Sequence, residues 1–434
     1  MKNSSFSKNI LSVFTTKIIF GILKIAISAL IARTLGVAGK GIYVSFMAFI
    51  SSIVGLGSLG LTESTTYFIA NKRIKSTNYF SVLITNSIIL SCGMIAIILI
   101  IKQPVQNYIF KDFPVEYYNF TFLFIFFMVT NNLFASFLKG LQDFYYFNLL
   151  TIIISLLNLL FIASAFFFFQ NNVTVLILTS LLISVINFLI ACFYLIKNSN
   201  IKIIFNKKLF SQMFSYGIMS HVGNITNNLE NQFDIFIMLF FMNPEAVGIF
   251  SIAYATGGLI GYISNSLNNV LFPIISSLDK NEKAVNFQNK TIRHNLLFNI
   301  LGGLFLIIIG YPFIKTIFGV EFIFAYTIML IILPGIIFDS VYRTIFSWYK
   351  GIGEPKIVSY FSAAGLIINI ILNIILIPIW GLYGAGLAVL ISYIIKSTIL
   401  ILFYRKNYNL LLSDFLLIRK VEIVNLKTRL LAIL

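Results

Sequence analysis

Runs of about twenty apolar residues recur along the whole chain, and few charges interrupt them. At about 1.5 Å per residue, a helical run of that length just crosses a hydrocarbon core of about 30 Å. Inside such a core the backbone must satisfy its own hydrogen bonds, as a helix does. The runs number twelve, at about 10–32, 41–62, 80–101, 118–138, 147–169, 173–196, 213–242, 246–272, 294–314, 323–346, 357–379 and 383–404. A chain that is 59% hydrophobic and 10% charged lies far from the roughly 45–50% and about 25% of soluble domains. The expected class is an all-α integral membrane protein.

The net charge of +17 raises the question of nucleic acid, and its distribution answers it. With the N-terminus in the cytoplasm, 22 of the 31 Lys and Arg fall in cytoplasmic segments and 5 in outer loops. Positive-inside asymmetry therefore explains the charge, and no nucleic-acid partner is expected. The other four, Lys17, Lys24, Arg343 and Lys396, fall within spans. Cys92 and Cys192 sit in apolar runs without CxxC or a histidine cluster, so no disulfide or metal is implied. The first run is full length, carries two lysines and lacks a cleavage site, and it is read as a retained helix.

Two internal matches indicate a repeat. "GKGIYVSFMAF" from Gly39 resembles "AVGIFSIAYAT" from Ala246, at an offset of 207. "LKGLQDF" from Leu138 resembles "YKGIGEP" from Tyr349, at an offset of 211 that also sets Asn158 on Asn369. Six spans per half is an even number, so the halves are parallel repeats, a plan that holds its site between them. The expected organisation is a six-helix bundle over 1–196, a basic cytoplasmic linker over 197–212, a second bundle over 213–404 and a basic amphipathic cytoplasmic tail over 405–434.

The stretch "NITNNLENQFDIFIM", Asn224 to Met238, carries four asparagines, a glutamine, a glutamate and an aspartate between apolar runs. On a helix, Ser220, Asn224, Asn227, Asn231 and Asp234 form one stripe, overlapped by Gly223, Asn227, Glu230 and Asp234. A loop has no reason to keep that period. A span beginning only at Asp234 would be too short to cross, so the stretch is read as part of span seven. Span one answers with Lys17, Gly21, Lys24 and Ser28 at the same kind of spacing. Lys24 lies about 21 Å from the start of its span, beyond the reach of a lysine stem to the inner surface.

Two readings of these groups stand side by side. The lysines pair with Glu230 or Asp234 and stitch the halves together, or they line a wet cavity that receives an anionic group while the carboxylates carry a coupling proton or Na⁺. Asp339 and Arg343, at i and i+4, can neutralise one another. Lys396 is within about 12 Å of the end of span twelve and is expected to extend to the surface. His221 is read as a hydrogen-bonding group that could titrate near neutrality. Asn369 and Asn373, one turn apart, are read as helix–helix partners. The absence of GxxxxGK[ST], HExxH and GxSxG disfavours ATP hydrolysis and enzymatic chemistry, which leaves a secondary transporter.

"ARTLGVAGKGIY" from Ala32, "DIFIMLFFMNPEAVGIFSIAYA" from Asp234 and "KGIGEPKIVSYFSAAGLIINIILNIILIPIWGLYGAGLAVLISY" from Lys350 resemble the polysaccharide-exporting branch of the superfamily that also holds MATE drug exporters and lipid II flippases. The resemblance implies two six-helix bundles in a V around a central cavity, and alternating access. It also implies the flipping of an undecaprenyl-diphosphate-linked oligosaccharide, an O-antigen or capsule unit, across a bacterial cytoplasmic membrane. On that reading Lys17 and Lys24 meet the diphosphate, Asn224, Asn227 and Asn231 line the sugar path, and Glu230 or Asp234 carries the ion, with His221, Arg343 and Lys396 as further candidates. Membrane lipids and a glycan polymerase are the expected partners, no cofactor is expected beyond the coupling ion, and the chain is expected to act as a monomer. The rivals are a MATE-like exporter of small solutes and a membrane-embedded glycan polymerase or transferase.

Overall fold

A computed structural model describes residues 2–74, 78–111, 113–169, 172–198, 205–262, 264 and 282–417. The side chains of 2–18, 109, 115, 219–225, 227, 228 and 355 fall outside that description. Every regular element among the described residues is helical. The principal helices are α1 (Lys2–Gly57), α2 (Leu61–Ala70), α3 (Tyr79–Ile100), α4 (Val115–Gly140), α5 (Phe144–Phe168), α6 (Val173–Asn198), α7 (Lys207–Phe241), α8 (Pro244–Gly257), α9 (Glu282–Ile317), α10 (Phe324–Gly351), α11 (Pro355–Tyr408) and α12 (Leu412–Leu416).

The two longest helices are each two spans joined at a glycine. A straight helix of 56 residues, the length of α1, would be roughly 84 Å long, more than twice the hydrocarbon thickness. The chain turns at Gly36, whose φ of 67° is open to glycine and strained for other residues. Gly381, with φ 55°, does the same in α11. Counting α1 and α11 twice, and α3 to α10 once each, gives the twelve expected spans. The far end of the eighth, beyond residue 264, lies outside the described residues.

The chain divides into two compact units, one of residues 1–251 with 317–321, the other of 252–316 with 322–434. Packing and repeat thus divide the chain differently. The segment 197–212 parts the repeats in sequence, whereas α7 packs on α1 and α2 of the first unit. In that unit Tyr67 of α2 stacks on Tyr216 of α7 with centroids 4.3 Å apart. An aromatic cluster of Phe46, Phe49, Phe110, Tyr117 and Phe124 fills its interior. In the second unit α10 packs along α11 around Tyr342, Trp348, Tyr349 and Tyr404. Phe415 of α12 inserts fully into this core, so the first residues after α11 fold back onto the bundle. The rest of the expected amphipathic tail, from 418, lies outside the described residues.

Large apolar side chains cover the outward faces, among them Ile100 and Phe167 at 82% exposure and Ile308 at 76%. A water-soluble protein keeps such patches small; a bilayer requires them. The chain is a multi-pass membrane protein.

Candidate functional site

The polar stretch of α7 is helical throughout, as its period predicts. Glu230 and Asp234 are buried, at 6% and 1% exposure, and Thr226 beside them is buried as well. The Oδ1 of Asn231 is buried and has no hydrogen-bond partner. His221, Asn224 and Asn227 fall on the same helix, with side chains outside the described residues. Because α7 packs on α1, carboxylates and lysines of the two stripes belong to one unit.

On α1, Lys17 lies on the helix with its side chain outside the described residues. Lys24 is exposed, and its Nζ sits 4.7 Å from the ring centroid of Phe20. Among the described residues no carboxylate forms an ion pair with it. Ser28, one turn further along, accepts a hydrogen bond of 2.9 Å from Lys40 Nζ. Lys40 is the residue that sequence reasoning missed. The span boundaries leave it in a loop, yet the helix resumes directly after Gly36, and Lys40 is only 5% exposed inside the first unit. Its sequence signal was faint: a lysine within a few residues of a glycine turn, with a serine on the preceding helix face.

The second unit holds a three-member ionic centre. Asp339 of α10, its side chain 3% exposed, meets Arg343 Nε at 2.5 Å and Lys396 Nζ at 3.1 Å. The Asp339–Arg343 pair is the one that i,i+4 spacing predicts. Lys396 corrects the expectation of a surface-seeking lysine: it is 4% exposed and turned onto Asp339. Its ammonium lies 3.9 Å from the Tyr393 ring centroid and 5.2 Å from that of Tyr342. Gly365 makes room for its stem, since a methyl group there would come within 3.0 Å of Lys396 Cδ. One carboxylate serves two cations, and Arg343 keeps 41% of its side chain exposed. Such a centre can hold a second anion.

A buried amide and hydroxyl network lies beside it. Asn295 Nδ2 donates to Ser340 O and Thr344 Oγ1, and Asn299 Nδ2 donates to Ser264 Oγ and Asn295 O. Asn369 and Asn373 are fully buried; Asn369 Nδ2 reaches Ser392 at 3.5 Å, and Asn373 Nδ2 donates to Asn369 O. The Oδ1 atoms of Asn158 and Asn369, residues that the repeat equates, are both buried without a hydrogen-bond partner. Among the described residues no group of three or more His, Cys, Asp or Glu could hold a metal.

Apolar helices with ionic groups kept among them define a multi-pass membrane protein, and comparison narrows the class. Residues 6–279 match the family described as "Polysaccharide biosynthesis protein", and residues 220–375 match that described as "MatE". The chain belongs to the polysaccharide biosynthesis protein family. It is 26% identical to a putative O-antigen transporter of Shigella flexneri, over 85% of this chain and 90% of that protein. It is 22% identical to the probable low-salt glycan biosynthesis flippase Agl15 of Haloferax volcanii, a match covering 43% of this chain and 40% of that protein. The solved lipid II flippase MurJ, in an inward closed conformation, superposes with a TM-score of 0.75 at 18% identity, covering 93% of this chain and 89% of that one. An inward-facing multidrug resistance MATE transporter of the MOP superfamily gives 0.71 at 15% identity, covering 89% and 94%. The likeness to both establishes the fold.

Proposed function

We propose that this chain flips an oligosaccharide, linked through a diphosphate to a polyprenyl lipid, from the cytoplasmic to the outer leaflet of a bacterial cytoplasmic membrane. Both termini then lie in the cytoplasm. The observation that carries the reading is the ionic centre at Asp339, where two cations are held in the spans on one carboxylate. Cations in hydrocarbon are costly and are kept where they serve a pathway, and a net positive centre suits an anionic passenger. A diphosphate cannot cross hydrocarbon with its charge unpaired. Lys17, Lys24 and Lys40 on α1 replace its lost hydration, while the asparagines of α7 meet sugar hydroxyls and the lipid tail stays in the bilayer. Glu230 or Asp234 takes up a proton or Na⁺ and so biases the inward and outward states. The relatives named for O-antigen transport and glycan flipping support this substrate class, and nothing in it calls for bond-making chemistry.

The match of 220–375 to MatE favours a second reading, export of small solutes. Cationic drugs would be repelled by the lysines of α1, which counts against it. Lys24→Ala decides between the substrates: it should abolish surface glycan while the protein stays inserted and abundant, and drug sensitivity should not change. Intact glycan with altered drug sensitivity would reverse the assignment.

A further inference from the structure

Helix α7 opens the second half of the chain by the repeat, yet by packing it belongs to the first unit, where it lies on α1 and α2. Its contact with α2 has three parts. The first is backbone against backbone: a methyl group at Gly60 would overlap Gly217 O. Leu59 and Gly60 reach this contact through φ values of 46° and 74°, a conformation that glycine takes freely and leucine only under strain. The second is aromatic. Tyr67 stacks on Tyr216, with 4.3 Å between centroids and 16° between planes, and Phe68 meets the same ring edge-on at 6.1 Å. The third is a cation: the Arg73 guanidinium lies 5.1 Å from the Tyr67 ring centroid and 5.4 Å from that of Phe68.

These parts have the strength of a contact that forms and breaks. A stacked aromatic pair and a cation over an exposed ring each shift an equilibrium by about tenfold or less, the scale on which two interconverting states are balanced. A permanent interface buries its rings, as the first unit does with Phe46 and Phe124 at 0% exposure, whereas Tyr216 keeps 37%. The stack also has a telling place on the helix. It lies toward the end of α7 that begins at Lys207, the cytoplasmic end on the proposed orientation, and further along α7 Thr226, Glu230 and Asp234 are buried.

We propose that the Tyr67–Tyr216 stack, capped by Arg73, is the cytoplasmic latch of the transporter: it holds α7 on the first unit and lets it go when the inner side opens. The inference rests on the flippase reading for its orientation and goes beyond it in naming the element that moves and the residues that hold it. The mismatch between repeat and packing is then a property of the latched state.

The first test reads accessibility and needs no cargo. In the full chain with Cys92 and Cys192 replaced by serine, Thr226→Cys is labelled by a membrane-impermeant maleimide in inside-out vesicles. Labelling should be slow with the native latch, about threefold to tenfold faster with Tyr216→Ala and about twofold to fivefold faster with Arg73→Gln. Tyr216→Phe keeps the stack and should label slowly again. Equal rates for Tyr216→Ala and the native latch would overturn the proposal, as would a Tyr216→Phe rate as fast as that of Tyr216→Ala. The second test reads transport. Tyr67→Cys with Tyr216→Cys, joined by a short bis-methanethiosulfonate, should stop glycan export, and reductant should restore it. Export at the native rate with the link complete would overturn the latch, and so would failure of the two positions to link. Surface glycan unchanged in a deletion strain, with labelling as predicted, would overturn the flippase reading and leave the latch in place.

Discussion

At Asp339 one carboxylate holds two cations from two spans, so its loss removes a counter-charge from the half-exposed Arg343 and from the buried Lys396. Breaking a buried pair by removing one member costs about 3–5 kcal/mol. Asp339→Asn should therefore lower the unfolding midpoint in a detergent titration, and adding Lys396→Met should restore part of it, because the buried ammonium goes too. A midpoint unchanged in Asp339→Asn would show that the centre does not hold the bundle together. Lys40 makes a different prediction. Charge-assisted hydrogen bonds are worth about 1.5–3 kcal/mol, so Lys40→Met should reduce export roughly tenfold to hundredfold with little change in midpoint. Export at the native rate would confine Lys40 to its contact with Ser28. The pair of Asp339 and Arg343 was legible in the sequence because it is local, four residues apart on one helix. The partner Lys396 was not, since its approach depends on how α11 turns at Gly381 and lies back along α10. Lys40 was hidden for a related reason: a glycine with positive φ can reverse a chain in one residue, and the sequence around it reads as a loop.

At the scale of the element, the second half of α1 and the start of α8 meet glycine to glycine. A methyl group at Gly41 would overlap Pro244 O, and one at Gly248 would overlap Val37 O. These two glycines are the ones that the repeat equates. Gly41→Leu should force the helices apart and depress export at an unchanged membrane level. Gly93→Leu, at a position with nothing within 4 Å, is the control and should export normally; equal export by both variants would remove any role for the contact. On α7, the buried Glu230 and Asp234 lead to a separation of coupling from binding. Glu230→Gln or Asp234→Asn should abolish transport driven by an imposed proton or Na⁺ gradient in proteoliposomes, with diphosphate probes still bound. Gradient-driven transport in both variants would remove the carboxylates from the coupling role. The helix itself was legible, because a polar stripe at spacings of three and four has no purpose in a loop.

For the whole molecule, length and hydropathy specify the spans almost unaided, since each run must match the same bilayer thickness. Periodicity cannot say which spans pack together. The sequence repeat divides the chain at 197–212, and the packing adds α7 and the start of α8 to the first unit, because close approach at Gly41, Gly60 and Gly217 is a property of surfaces in contact. On the proposed function, a lipid-linked oligosaccharide leaves the inner leaflet through this chain. The most direct test is the leaflet location of that intermediate in a deletion strain, probed in intact spheroplasts with a lectin that cannot cross the membrane. The account predicts that the intermediate accumulates hidden from the lectin and becomes accessible once the membrane is permeabilised. Intermediate fully exposed on intact spheroplasts would show that translocation proceeds without this chain, and would contradict the account.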